Sequence, residues 1–242
     1  MNDNTIIEFK NIKKVYGEKE IIIDFNLLVE KGDFITIVGR SGCGKTTILK
    51  MINGLNLPDE GHIYVNGKDI KNENLIELRR NIGYAIQGTG LFPHMTVGKN
   101  IAYVPNLLNK SNKRKTKEAV NKLMNIVGLE EGLMDRYPDE LSGGQQQRVG
   151  IARALAATPE IMLMDEPFGA VDEITRKMLQ DEILRIHSEL QVTILFVTHD
   201  IKEALKLGTK VLVMDKGQIV QYATPDEIIN NPVNGFVKEL IG

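Results

Sequence analysis

The sequence predicts an α/β fold with a mainly parallel sheet and a helical insertion, and three observations predict it. The apolar runs Ile161–Asp165 (IMLMD) and Ile194–His199 (ILFVTH) lack period-two alternation, which suits strands covered by helices on both faces. Between Lys113 and Gly128, Val120, Leu123, Met124 and Val127 recur at helical spacing. Residues 39–46 form a glycine-rich stretch between a strand-like and a helix-like run, the layout of a phosphate-binding turn.

Taken in order, Ile6–Phe9, Ile21–Val29 and Phe34–Val38 are rich in β-branched or aromatic residues and separated by polar turns, so they read as strands. His62-Ile63-Tyr64-Val65 followed by Asn66-Gly67 is a hairpin signal, because a type I′ turn needs positive φ at both central positions. The mainly helical insertion runs from about Phe92 to Arg153. Gln145–Ala157 reads as a helix stopped by Thr158-Pro159. Val211–Asp215 and Gln218–Tyr222 read as two strands around Lys216-Gly217.

Composition narrows the class. The 242 residues fall between one domain and two at roughly 150 residues each. With 42% hydrophobic and 26% charged residues the chain has a globular balance, excluding disorder and fibrous repeats. No fixed-period repeat is present, which argues against solenoids. Thirty Lys+Arg against 32 Asp+Glu, a net charge of -2, give no bulk attraction to nucleic acid or anionic lipid. One cysteine excludes a disulfide framework and points to a reducing compartment. The longest strongly apolar stretch, Ile21–Val29, is interrupted by Asp24 and falls short of the ~20 residues that span a bilayer. The start, MNDNTIIEFK, shows no secretory signal. A soluble cytoplasmic protein is expected.

Gly39-Arg40-Ser41-Gly42-Cys43-Gly44-Lys45-Thr46 fits G-x-x-x-x-G-K-[ST], after the strand ITIV and before the helical run TTILKMINGL, which opens with Thr46 and Thr47. Glycines let backbone N–H groups converge on phosphate oxygens, and the following helix N-terminus adds positive partial charge. Lys45 would supply a point charge to the β- and γ-phosphates, and the Thr46 hydroxyl would bind Mg²⁺. Cys43 reads as a small filler rather than a redox switch. Four bulky apolar residues then lead to Asp165-Glu166. A carboxylate at the C-terminal end of a buried strand lies where α/β sheets bind ligands. Asp165 is placed to hold Mg²⁺ and Glu166 to polarise an attacking water as general base. Ser142, Gly143 and Gly144, just before Gln145 and its helix, offer a second anion-binding helix N-terminus.

Leu141-Ser142-Gly143-Gly144-Gln145-Gln146-Gln147-Arg148 resembles the LSGGQ signature of ABC ATPases, and further family motifs stand in the expected order over almost the whole chain. Residues 39–46 resemble Walker A and IMLMDEP resembles Walker B. Gln87 matches the Q-loop glutamine, Gly169-Ala170-Val171-Asp172 the D-loop, His199 the H-loop histidine, and Tyr16 the aromatic that stacks on adenine. The resemblance implies a P-loop NTPase core with an N-terminal antiparallel β region. It implies a single module over 1–242, with 1–90 and 154–242 as a RecA-like core and about 91–153 as a helical signature subdomain. Two subunits would pair head to tail, each ATP lying between Walker A of one and LSGGQ of the other. Asp172 would communicate across that interface. Gln87 would sense the γ-phosphate and reach the metal, and His199 would contact the γ-phosphate and support the catalytic water. His62 and His187 have no such support and read as solvated surface groups.

Beside Gln87, the segment Gly88–Val97 carries Leu91, Phe92 and Met95. In ABC transporters this region receives the coupling helices of the membrane subunits; the alternative is packing into the core. Met51-Ile52-Asn53-Gly54-Leu55 and QGTGLFPHMTV look most like the ATPases of osmoprotectant importers (glycine betaine, carnitine, choline or proline), which work with an extracytoplasmic solute-binding protein. Those ATPases often carry C-terminal CBS domains; the sequence to Gly242 ends before any, as expected either of a shorter member or of a truncated chain. The expected location is the cytoplasmic face of the membrane, peripheral through protein partners. The alternatives are another importer or exporter ATPase, such as amino-acid uptake or lipoprotein release, or a soluble non-transport ATPase. Neither a heptad insertion nor a second Walker A is present, so no nucleic-acid partner is expected. The basic cluster Lys110, Lys113, Arg114, Lys115 and Lys117 reads as a solvated helix start rather than a lipid contact.

Overall fold

A computed structural model describes residues 4–86, 88, 90–108, 112–169 and 171–242. In chain order the elements begin with β1 (Thr5–Tyr16), β2 (Lys19–Glu30), β3 (Phe34–Gly39) and α1 (Lys45–Ile52). Next come β4 (Glu60–Val65), β5 (Lys68–Asp69), α2 (Leu75–Arg80), β6 (Ile82–Ala85), α3 (Val97–Leu108) and α4 (Lys113–Ile126). They continue with α5 (Gly143–Leu155), β7 (Ile161–Asp165), α6 (Glu173–Leu190), β8 (Thr193–Val197) and α7 (Ile201–Leu207). The chain closes with β9 (Lys210–Asp215), β10 (Gln218–Ala223), α8 (Pro225–Asn230) and α9 (Gly235–Ile241). Contacts divide the chain into two compact units, Met1–Arg79 with Thr193–Gly242, and Arg80–Val192.

The first unit holds the antiparallel sheet β2-β1-β4-β5 and the strands β10-β9-β3-β8. The strand expected at Ile6–Phe9 extends to Tyr16 because it is paired on both sides, with β2 and with β4. Asn11 takes positive φ inside it, and the register shifts between Phe9 and Ile12. Such a shift lets a polar stretch stay in a strand without losing the buried face. Phe9 meets Phe25 edge to face at 5.2 Å. Asn66 (φ 50) and Gly67 (φ 76) make the turn from β4 to β5, as the hairpin signal requires. β3 is parallel to both β8 and β9, and β10 returns antiparallel to β9. Every residue of β3 and β8 is buried, in keeping with their lack of alternation. Val38, Ala204, Val211, Val213, Ile228 and Val237 form one apolar cluster joining β3 and β9 to α7, α8 and α9.

The second unit pairs β6 and β7 in parallel, Ile82 with Ile161 and Ala85 with Met164. β7 is buried throughout. The helices α3 to α6 bury Ile101, Val120, Met124, Val149, Ile151 and Ile183, all at 4% exposure or less. Asn112 caps α4, its side chain accepting from Lys115 N. The last carbonyls of that helix are taken by arginines of two others: Arg148 Nη1 of α5 donates to Val127 O at 2.5 Å, and Arg185 of α6 to Ile126 O. α3 carries Pro105 in its interior, a residue that in sequence reads as a break.

Candidate functional site

The glycine-rich loop begins where β3 ends. Gly39 pairs with Met214 of β9, and a Cβ there would run into the Met214 carbonyl oxygen. Gly44 is the N-cap of α1 at φ 105, and a Cβ on it would collide with Ile22; only glycine meets both demands. Gly44 supplies no side-chain hydrogen bond to the helix. The first turn of any helix presents N–H groups without intrahelical partners, and here the N-cap has no side chain to accept from them. Lys45 is 7% exposed. Its Nζ donates to Gly39 O at 2.8 Å and Arg40 O at 3.1 Å, closing the loop into a ring whose floor is cationic. Ser41 and Gly42 are exposed at the rim, and Thr46 and Thr47 are half-buried behind it. Cys43 is buried, and desolvation pushes its thiol pKa up against the pull of Lys45. It therefore stays a neutral thiol, consistent with a filler.

In the same unit, Tyr16 ends β1 with 46% of its surface exposed. Its hydroxyl accepts from Asn56 Nδ2 at 2.6 Å, and Lys14 Nζ lies 5.4 Å from the ring centroid. Asp59 anchors this strand end, accepting from Val15 N at 2.6 Å and Lys14 Nζ at 3.0 Å. The Val15 N–H, then Lys14, hold the Asp59 carboxyl below the usual carboxylate range. His199 is exposed, two residues beyond β8. Val197 pairs with Ile37 in the parallel register, and Thr198 N donates to Ile37 O at 3.1 Å. His199 and the glycine-rich loop therefore leave the same, carboxyl-terminal end of neighbouring parallel strands, the edge at which such sheets bind ligands.

In the second unit, Asp165 closes β7 at 4% exposure. Glu166 follows in the left-handed region at φ 45, a conformation that costs a non-glycine residue about 1–3 kcal/mol and clusters at functional sites. Tyr84 on β6 has its pKa pushed up to about 12 by burial, with the Asp165 charge adding to the shift; it stands as a neutral phenol beside the carboxylate. Gln87 lies outside the described residues, as do Ala170 of the D-loop segment and Lys110 of the basic cluster.

Ser142 is the N-cap of α5. Its Oγ accepts from Gln145 N at 3.3 Å, and Gln145 Oε1 accepts from Ser142 N at 2.9 Å, a complete capping box. Gly143 is exposed and Gly144 half-buried. Asp172 caps α6, accepting from Thr175 N at 3.0 Å and Thr175 Oγ1 at 2.6 Å. The Thr175 hydroxyl and then its N–H hold the Asp172 carboxyl below the ordinary range.

Leu91, Phe92 and Met95 are half-buried, neither core nor free surface. Phe92 is fixed by two residues that sequence reasoning passed over. Asn100, wholly buried, accepts from Phe92 N at 2.8 Å and donates to the carbonyls of Phe92, Met95 and Thr96 at 3.1, 3.0 and 3.1 Å. Arg153 of α5 lies 5.4 Å from the Phe92 ring and donates to Gly90 O at 2.8 Å, with Tyr103 packing at 5.0 Å. An asparagine just after an apolar loop was the available signal for the first. Nothing local marks the second. Lys113, Arg114, Lys115 and Lys117 are exposed, and Arg114 pairs with Glu118 at 2.9 Å. His62 is exposed but not simply solvated, since Nδ1 lies 2.7 Å from Asp69 Oδ2. Among the described residues no group of three or more His, Cys, Asp or Glu is placed to hold a metal, and no helix is long and apolar enough to cross a membrane.

The ABC transporter family profile matches residues 22–169. The carnitine transport ATP-binding protein OpuCA of Listeria monocytogenes is 52% identical over 238 residues, covering 98% of this chain and 60% of that protein. The glycine betaine uptake system ATP-binding protein YehX of Escherichia coli is 48% identical, covering 98% of this chain and 77% of its own length. Among solved structures, a bacterial ABC transporter cassette in dimeric form superposes with TM-score 0.81 at 33% identity, covering 91% of this chain and 99% of that one. A dimeric post-hydrolysis cassette bound to ADP and Pi gives TM-score 0.82 at 31% identity, with the same coverage. The chain thus spans about 60% of the length of the carnitine-transport relative.

Proposed function

The chain belongs to the ABC transporter family and has the fold of its ATPase cassettes, and from that premise we propose that it binds and hydrolyses ATP to power uptake of a quaternary-ammonium osmoprotectant. The observation that carries this reading is the ring closed by Lys45 on the carbonyls of Gly39 and Arg40, in front of a helix whose N-cap offers no side chain. On nucleotide binding Lys45 exchanges those carbonyls for phosphate oxygens, and backbone N–H groups of Ser41 to Thr47 take the remaining charge. Tyr16 stacks on adenine. Thr46 and Asp165 carry the hard oxygen donors that Mg²⁺ prefers, with Gln87 as a further one; the ion, when bound, neutralises charge on the β- and γ-phosphates. Glu166 accepts a proton from the attacking water, and His199 supports that water.

Two copies pair head to tail, Ser142 to Gln145 of each facing the nucleotide of the other and Asp172 lying at the interface; the dimeric cassettes at 31–33% identity support this arrangement. Permease subunits contact Leu91, Phe92 and Met95, which Asn100 and Arg153 present. That contact places the protein at the cytoplasmic face of the membrane. An extracytoplasmic solute-binding protein delivers the osmoprotectant, a class supported by the carnitine and glycine betaine relatives. Residues 1–90 and 154–242 serve as the core and about 91–153 as the signature-bearing subdomain.

Glu166→Gln tests the reading. Phosphate release should fall at least about a hundredfold, ATP binding should persist, and a dimer should accumulate with ATP and Mg²⁺. Sizing that shows monomers alone, or undiminished phosphate release, overturns it.

A further inference from the structure

Asp172 and Gly144, from two motifs separated in sequence, meet at one side chain. Thr175, in the first turn of α6, donates through N to Asp172 Oδ1 at 3.0 Å and through Oγ1 to Asp172 Oδ2 at 2.6 Å. Both carboxylate oxygens are thereby held. Its methyl points the other way, toward α5. A Cβ on Gly144 would collide with Thr175 Cγ2, whereas the next atoms, Cβ and Oγ1 of the same threonine, stand at 3.7 and 3.8 Å, ordinary contact distances. The missing side chain at Gly144 is thus the seat of one methyl group. Gly144 lies two residues past the capping serine, so what sits against it sets where the first turn of α5 points. Asp172 and the α5 N-terminus are therefore referenced to one another through a single residue.

We infer that Thr175 is a positioning residue for ATP hydrolysis: its hydroxyl fixes the Asp172 carboxylate while its methyl seats the signature helix through Gly144. The inference rests on the reading that both motifs face nucleotide in a dimer. Thr175 touches no reacting atom, so its loss should lower turnover and ATP-driven dimerisation while leaving the nucleotide affinity of the single chain intact.

The two halves of the side chain separate by substitution. Thr175→Val keeps the methyl and removes the hydroxyl; Thr175→Ser does the reverse. Thr175→Val should lower ATPase kcat about three- to tenfold with KM unchanged, below the range for a hydrogen bond to a charged acceptor because the site is open to water. In a Glu166→Gln background it should weaken the ATP-bound dimer by a similar factor. Gly144→Ala should abolish turnover, and adding Thr175→Ser should restore part of it, since serine removes the colliding methyl. Thermal melting verifies folding for each variant. The inference is overturned if Thr175→Val hydrolyses ATP at the wild-type rate, or if a folded Gly144→Ala, Thr175→Ser protein is no more active than Gly144→Ala. Lys45→Ala separates the two levels of failure. If it binds ATP as wild type does, the ATPase reading itself falls; if it loses ATP while Thr175→Val matches wild type, only the role of Thr175 falls.

Discussion

Two helix N-termini in this chain look alike in sequence, each preceded by small residues and each expected to hold an anion, yet they are built differently. At α1 the N-cap is a left-handed glycine with no side chain to cap the helix, and a buried lysine is folded back on loop carbonyls. At α5 the N-cap is Ser142, locked by a reciprocal exchange with Gln145. On the proposed reading the first is a receptor already open, its cation satisfied by loop carbonyls that a phosphate would displace. The second is satisfied in the single chain, and an incoming phosphate must compete with a hydrogen bond already made. A site that ligand reaches alone can stay open. A site that needs a second subunit gains from being closed until that subunit arrives.

Three substitutions break or sharpen this contrast. The largest effect falls on the open site: Lys45→Ala should weaken ATP binding to the single chain about a hundredfold, the scale of charge-assisted hydrogen bonds lost in a water-poor cradle. Calorimetry returning unchanged affinity would remove the cradle as the nucleotide site. At the closed site, Ser142→Ala should leave that affinity untouched while weakening the ATP-trapped dimer about tenfold. It should also lower the unfolding free energy by about 1 kcal/mol for the lost cap. A single-chain ATP affinity that drops with it would mean that the two termini are not independent. The smallest effect lies at the edge of the open site: Tyr16→Leu should weaken ATP about fivefold, near the low end of base stacking because the ring is half exposed. Equal loss for a triphosphate lacking a base would assign Tyr16 to strand stability instead.

The open site was legible because everything it needs is consecutive. Glycines, lysine and threonine follow one another from the end of a buried strand into the first turn of a helix, and the fold only has to place that run at a strand end. Buried strands were legible for a related reason: the runs Ile161–Asp165 and Ile194–His199 lack period-two alternation, and strands stand at Ile161–Asp165 and Thr193–Val197. Contacts that join segments were not. Arg153 meets Gly90 across 63 positions, and Thr175 meets Gly144 across helices whose sequence carries no trace of the contact. β1 outran its apolar start because pairing on both flanks outweighed the weak propensity of Asn11 and its neighbours. α3 tolerates Pro105 because its side chain is buried, so packing offsets the lost backbone donor.

The buried, neutral thiol of Cys43 has a consequence for measuring the proposed pairing of two copies. It is the one cysteine of the chain, and thiolate rather than thiol reacts with alkylating reagents. A cysteine introduced at an exposed position such as Ile174 or Met178 of α6, at 77% and 55% exposure, would be the fast-reacting group. Spin or fluorescent labels would then report distances between the α6 helices of two subunits without first replacing a residue of the phosphate loop. The chain carries its own silent background for spectroscopy.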